Sequence, residues 1–200
     1  MEVAFISGGS DGIGLETVKC FQKNNFKVVT CGRNPEKWER SLKADENLRV
    51  VDFYETDLSD HAKVVKLFNQ IKANYKSLKV AINNASPDIK SGGIFVDQQD
   101  TNLIHTISSD LISHMLCMKH ELKLMKSGSC IVNVSSVNGI RPTSNASAYS
   151  AAKHGLEGLT KSVALEAIEI GIRVNSIAPG VTWTPRWKRD EYSRYQRRGV

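Results

Sequence analysis

Short apolar runs alternate with longer amphipathic stretches along most of the chain. Val3-Ala-Phe-Ile6, Lys27-Val-Val-Thr-Cys31 and Val80-Ala-Ile82 are too short and too continuous for one face of a helix, and they read as buried strands. The pattern predicts strands near 3–7, 27–31, 49–54, 78–83, 129–134 and 172–177, and helices near 13–24, 36–43, 60–75, 100–125 and 148–170. Such alternation builds an α/β fold: a doubly wound parallel sheet with helices on both faces. No repeat, low-complexity run or internal linker interrupts it. A single domain over 1–185 is therefore expected, followed by a basic segment at 186–200. Ligands of this architecture sit beyond the C-terminal ends of the strands.

Two stretches carry candidate chemistry. The first strand runs into Ser7-Gly8-Gly9-Ser10-Asp11-Gly12-Ile13-Gly14, and a helix-like segment follows. A strand, a glycine loop and a helix present free backbone N–H groups to a phosphate. The spacing Gly8-x3-Gly12-x-Gly14 differs from the commonest dinucleotide fingerprint, and a glycine-rich loop alone is also an ordinary strand-to-helix connection. The second stretch holds Ser136, Tyr149 and Lys153. On a helix, residues four apart share a face, which brings the Lys153 ammonium to the Tyr149 ring. A cation there favours phenolate, so Tyr149 could exchange a proton with an alcohol or ketone. Ser136 could donate to the same oxygen as charge develops on it. The spacing alone is weak, because Tyr75 and Lys79 repeat it in what reads as a surface loop before a strand.

Together these residues resemble the short-chain dehydrogenase/reductase family, whose fold is Rossmann-like. Asn83-Asn84-Ala85-Ser86 closes the fourth apolar run, Cys130-Ile-Val-Asn-Val-Ser135-Ser136 matches the strand that delivers the catalytic serine, and Arg173 to Gly180 matches the sixth strand and its turn. The resemblance implies an oxidoreductase that transfers hydride between a nicotinamide and a carbonyl or secondary alcohol. In it Tyr149 is the acid/base, Lys153 lowers its pKa, and Ser136 polarises the carbonyl. It also implies that Gly8, Ser10, Asp11, Gly12, Ile13, Gly14, Asn84, Tyr149 and Lys153 meet the cofactor, with Asp57 and Leu58 at the adenine and Thr182 and Thr184 near the nicotinamide. Gly32 stands where NAD-using relatives carry an acidic residue, and Arg33 follows it. A guanidinium can bind a 2′-phosphate bidentately, which points to NADP over NAD. Asp11 argues the other way, since NADP-preferring relatives often have a basic residue there.

Three features depart from the family pattern. Asp110, in Asp110-Leu-Ile-Ser-His-Met115, occupies the position of the fourth catalytic residue, usually Asn. Its charge would favour the Lys153 ammonium. Ser86 replaces a Gly. The family also continues past the equivalent of residue 185 with further helices and a seventh strand, which cover the substrate and supply much of the subunit interface. A fold without that strand would leave an open sheet edge and an apolar patch on the sixth strand. Asp110 and the short C-terminus favour a second reading, a catalytically silent nucleotide-binding subunit on the same fold. The complete Ser136–Tyr149–Lys153 set favours the enzyme.

Composition narrows the class further. Two hundred residues, 40% hydrophobic and 24% charged, suit one soluble globular domain. No apolar stretch is long enough for a membrane span, and the chain enters a strand at once, so neither a membrane nor a secretory leader is expected. Cys20, Cys31, Cys117 and Cys130 have no C-x-x-C spacing and read as free thiols of a reducing cytoplasm. The five His are scattered, so no metal is expected; His114 and His120 read as packing or surface residues. Of the net charge of +6, residues 186–198 hold six Arg or Lys against Asp190 and Glu191, with Trp187, Tyr192 and Tyr195 interleaved. The charge pattern reads as a solvated face and not as a nucleic-acid surface, and the family resemblance implies that this segment begins a substrate lid. The expected partners are a small carbonyl or alcohol substrate and further copies of the chain in a homo-oligomer. The loops at 86–99 and 137–147 would line the substrate pocket without naming the substrate.

Overall fold

The structure is a computed structural model that describes residues 1–87 and 89–185. Six parallel strands form one sheet in the order β3-β2-β1-β4-β5-β6. They are β1 (Val3–Ser7), β2 (Lys27–Gly32), β3 (Asp52–Glu55), β4 (Leu78–Asn83), β5 (Met125–Val134) and β6 (Arg173–Ile177). The helices are α1 (Gly12–Lys23), α2 (Pro35–Ala44), α3 (His61–Asn74), α4 (Asp100–Ile107), α5 (Ser113–Leu122) and α6 (Ser147–Ile168). The period-two alternation of a strand decides which core each side chain enters. Phe5, Val29 and Ala81 pack with Leu67 and Phe68 of α3, Met118 of α5 and Leu156 of α6. Their neighbours Ala4, Ile6, Val28, Val80 and Ile82 pack with Val18 of α1 and Trp38 of α2. Both faces of the sheet are thus covered, as the continuous apolar runs require.

Helix starts follow local chemistry. Asp11, Asn34 and Asp60 accept backbone N–H groups at the starts of α1, α2 and α3, and Pro35 opens α2. The strand order reverses between β1 and β4, so a crevice opens at their C-terminal ends. Gly8, Arg33, Asp57, Asn84, Ser136 and Thr182 each follow the C-terminal end of a strand.

Three elements differ from the sequence expectation. The helix expected over 100–125 is α4 and α5 joined by a π-helical turn at Ser108–Ile112. Ser109 and Ser113 hydroxyls bond to the carbonyls of His105 and Ser109 there, serving backbone acceptors that the wider turn disturbs. Strand β5 starts at Met125, paired with Leu78, and a register shift precedes the regular ladder from Val80 and Cys130. Strand β3 is short because Glu46–Val50 forms a 3₁₀ turn capped by Asp45. Strand β6 pairs only with β5 among the described residues, and its exposed side chains are Arg173, Asn175 and Ile177. The apolar patch expected on it therefore reduces to Ile177, 49% exposed.

Among the described residues no helix is long and apolar enough to cross a membrane, and no cluster of His, Cys, Asp and Glu could hold a metal ion. All four cysteines are free. Burial pushes the Cys31 thiol up to about 12 and holds Cys117 well above its usual value, so neither is a nucleophile near neutral pH.

Candidate active site

The glycine loop is built for close approach. Gly8 has φ +72°, and a Cβ on it would lie 2.9 Å from the Ala85 Cα. A Cβ on Gly14 would lie 2.1 Å from the Gly8 carbonyl oxygen, so the first turn of α1 rests directly on the loop. Asn84 ties β4 to this loop: its Nδ2 donates to the Ser7 carbonyl at 3.0 Å and the Gly8 carbonyl at 3.3 Å. The N–H groups of Asn84 and Ala85 both donate to the Ser7 hydroxyl at 3.0 Å. Thr184 lies against the loop from the other end of the described chain, 3.3 Å from where a Gly12 Cβ would stand. Ile13, half-buried, is in the first turn of α1, while Thr182 is exposed and donates to the Gly180 carbonyl at 3.3 Å.

The second group of candidates lies at the end of β5 and on α6. Ser136 ends the strand path of β5 with extended backbone, and its Oγ accepts from Asn138 N–H at 3.2 Å, which leaves its own O–H to donate elsewhere. The short turn at Val137–Gly139 that follows it packs against α6: a Cβ on Gly139 would meet the Lys153 carbonyl at 2.9 Å. Tyr149 and Lys153 occupy successive turns of α6, with Lys153 Nζ 5.6 Å from the Tyr149 ring centroid. Tyr149 is half-buried, whereas Lys153 is 1% exposed. The ammonium donates to the Val134 carbonyl at 3.2 Å and pairs with Asp110 Oδ1 at 3.4 Å. Asp110, in the π-helical turn, is itself 1% exposed.

Two features near this pair were not among the residues the sequence singled out as site members. Ser86 Oγ donates to Asp110 Oδ1 at 2.6 Å, so the two departures from the family pattern are bonded to each other. His114 of α5 is buried, and burial first, then the Lys153 charge, hold it well below its usual range; it is a neutral imidazole near pH 7. Only the Ser-for-Gly exchange hinted at the first in the sequence, and nothing hinted at the second. Below them, Asn83 Nδ2 donates to Glu121 at 2.9 Å and Asn133 at 3.1 Å. Burial pushes the Glu121 carboxyl up to about 8 despite that hydrogen bond.

The third group faces the end of β2. Arg33, exposed, and Asp57 line one hollow with Phe53, Lys63, Lys66 and Gln70. Burial opposes ionisation of Asp57, yet the Ser59 hydroxyl and N–H, with Arg33 and Lys63, leave its carboxyl below the usual value. Leu58 is buried beside it. Asp11 is occupied on two sides: one carboxylate oxygen accepts from Gly12 N–H at 2.7 Å, and the other lies 3.6 Å from Lys37 Nζ of α2. Ser10 Oγ is buried without a hydrogen-bond partner among the described residues, 2.9 Å from where a Gly32 Cβ would stand. The basic segment 186–200, expected to begin a substrate lid, lies outside the described residues.

Known proteins resemble this chain over most of its length. The sequence profile of the family described as short chain dehydrogenase matches residues 2–194. A 3beta-hydroxysteroid dehydrogenase of Mediterraneibacter gnavus is 36% identical over 190 residues, which cover 94% of this chain and 68% of that protein. The chain thus spans about two thirds of the length of this curated relative. Among solved structures, ElxO with NADP bound superposes with a TM-score of 0.86 at 29% identity, over 100% of this chain and 79% of that one. An actinorhodin polyketide ketoreductase with NADPH gives 0.85 at 29% identity, over 98% and 75%.

Proposed function

This chain belongs to the short-chain dehydrogenase/reductase family, oxidoreductases acting on CH–OH groups, and on that premise we propose that it is an NADP-dependent carbonyl reductase or alcohol dehydrogenase. The observation that carries the reading is the buried Lys153 ammonium, 5.6 Å from the centroid of the Tyr149 ring on the same helix. An ammonium at that range favours the phenolate, which brings the phenol's proton within reach of neutral-pH chemistry. Tyr149 then donates the proton when a carbonyl is reduced and accepts it when an alcohol is oxidised. Ser136 donates to the same oxygen, stabilising the charge that builds on it. The nicotinamide, when bound, supplies or takes the hydride.

The residues fit such a cofactor. The α1 N-terminus and the glycine loop offer backbone N–H groups to a pyrophosphate. The partnerless Ser10 hydroxyl beside Gly32 supports a polar ligand group at the end of β2. Arg33 stands at that end without an acidic neighbour at Gly32, and Lys37 offsets the Asp11 charge that would otherwise repel a 2′-phosphate. The NADP-bound and NADPH-bound relatives support the same preference. The intact acid/base set favours this reading over a silent nucleotide-binding subunit. A titration of the 200-residue protein with NADPH and with NADH, followed by quenching of tryptophan emission, tests it. Tighter NADPH binding is expected, and Arg33→Ala should weaken NADPH about tenfold or more while leaving NADH nearly unchanged. Binding of neither nucleotide would overturn the reading.

A further inference from the structure

We infer that Ser86 is a positioning residue for this centre: its hydroxyl clamps the Asp110 carboxylate and so sets how much of the Lys153 charge reaches Tyr149. The inference rests on the acid/base reading of Tyr149 and Lys153. Ser86 follows β4, and its Oγ reaches Asp110 Oδ1 at 2.6 Å, the short range of a hydroxyl–carboxylate hydrogen bond. The same oxygen is the one 3.4 Å from Lys153 Nζ. Ser109 Oγ lies 3.3 Å from the other carboxylate oxygen, but its hydrogen serves the His105 carbonyl at 2.8 Å, so Ser86 is the nearer hydroxyl donor to the carboxylate. Side-chain exposures of 1% for Lys153 and 2% for Asp110 leave little water to screen the pair, so a carboxylate there acts strongly on its neighbours.

Tyr149 therefore responds to an ammonium already partly offset by a carboxylate. A hydroxyl that donates to the carboxylate draws its charge away from Lys153 and leaves more of the ammonium's field for the phenol. Without that donor more of the carboxylate's charge falls on Lys153, and the phenolate becomes harder to form. Without the carboxylate the ammonium acts undiminished, and the phenolate forms more readily. His114 of α5 also feels this pair, but burial keeps it neutral, so it contributes no charge. The two substitutions thus have opposite signs, which a purely structural role for Ser86 would not produce.

The test is a spectrophotometric titration of the phenolate in the cofactor-free protein, with the Tyr149→Phe protein subtracted to isolate Tyr149. Ser86→Ala should raise the Tyr149 midpoint and Asp110→Asn should lower it, each by roughly half a pH unit to one unit. Ser86→Ala added to Asp110→Asn should move it no further, and Ser86→Thr, which keeps the hydroxyl, should titrate as the unsubstituted protein does. With NADPH and a carbonyl substrate, the ionisation limb of kcat/KM should move in the same directions. An unmoved midpoint in Ser86→Ala, or an equal shift with Asp110 already replaced, overturns the clamp. If Asp110→Asn does not fold, the contrast between Ser86→Ala and Ser86→Thr still decides. The two readings fail separately. A protein whose Tyr149 midpoint follows Ser86 but which turns over no carbonyl refutes the enzyme and upholds the clamp. An active enzyme whose midpoint ignores Ser86 refutes the clamp alone.

Discussion

Tyr149 and Lys153 share their four-residue spacing with Tyr75 and Lys79, and the structure separates the two pairs completely. Tyr149 and Lys153 stand on successive turns of α6, so the helix brings ammonium and ring to one face. Tyr75 ends α3, while Lys79 already lies in β4, where successive side chains point to opposite faces. The Tyr75 hydroxyl bonds to Asp52, and Lys79 pairs with Glu2 at 3.5 Å. The Lys79 side chain is 40% exposed against 1% for Lys153. Water screens the first cation and leaves the second to act on its neighbours. The comparison shows that the spacing brings a ring and an ammonium together when both lie in one helix, and that Lys153, unlike Lys79, is buried against a counter-charge.

The largest test of that contrast is Tyr149→Phe, which should cost about 10²–10⁴-fold in turnover while NADPH binding, read by fluorescence, persists. Unchanged turnover would sink the mechanism. Lys153→Ala follows: it leaves the Asp110 carboxylate buried and unpaired, and it should lower stability by about 3–5 kcal/mol as well as weaken binding and rate. Chemical denaturation measures this, and adding Asp110→Asn should recover much of the stability but none of the rate.

Glu121 sharpens the point about counter-charge, for it is as buried as Asp110 but among the described residues has Asn83 and no cation as its bonded partner. Its native carboxyl titrates at about 8, above the ordinary 4.5. Between those values the folded protein holds a proton that the unfolded chain has released, so this group's contribution to stability falls as pH rises from about 4.5 to 8. Glu121→Gln should flatten that decline, which melting temperatures across the range would show; an unchanged slope would place Glu121 outside it. The smallest effect belongs to Tyr75→Phe, which removes one part-buried hydrogen bond, worth about 1 kcal/mol. Turnover and NADPH affinity should not move.

The fold was legible where local rules act alone. Strand runs such as Val3–Ser7 and Lys27–Gly32 alternate between two cores, and Asp11, Asn34 and Asp60 cap the helices they precede. The place of the glycine loop between β1 and α1, and of Tyr149 and Lys153 on one helix, was legible too, because each depends on geometry within a short stretch of chain. The π-helical turn was not. Widening one turn shifts the helical register without breaking the apolar pattern, so 100–125 reads as one helix even though Asp110 sits in the irregularity.

By itself, then, the sequence determined the alternating fold, the crevice at the strand ends and the residue types that face it. Only the tertiary structure decided that Ser86 and Asp110, 24 positions apart, bond to each other, that Lys37 pairs with Asp11, and that Glu121 is buried without a bonded cation among the described residues. Periodicity and turn chemistry are properties of neighbouring residues, whereas burial and counter-charge belong to groups that become neighbours only when the strands and helices pack.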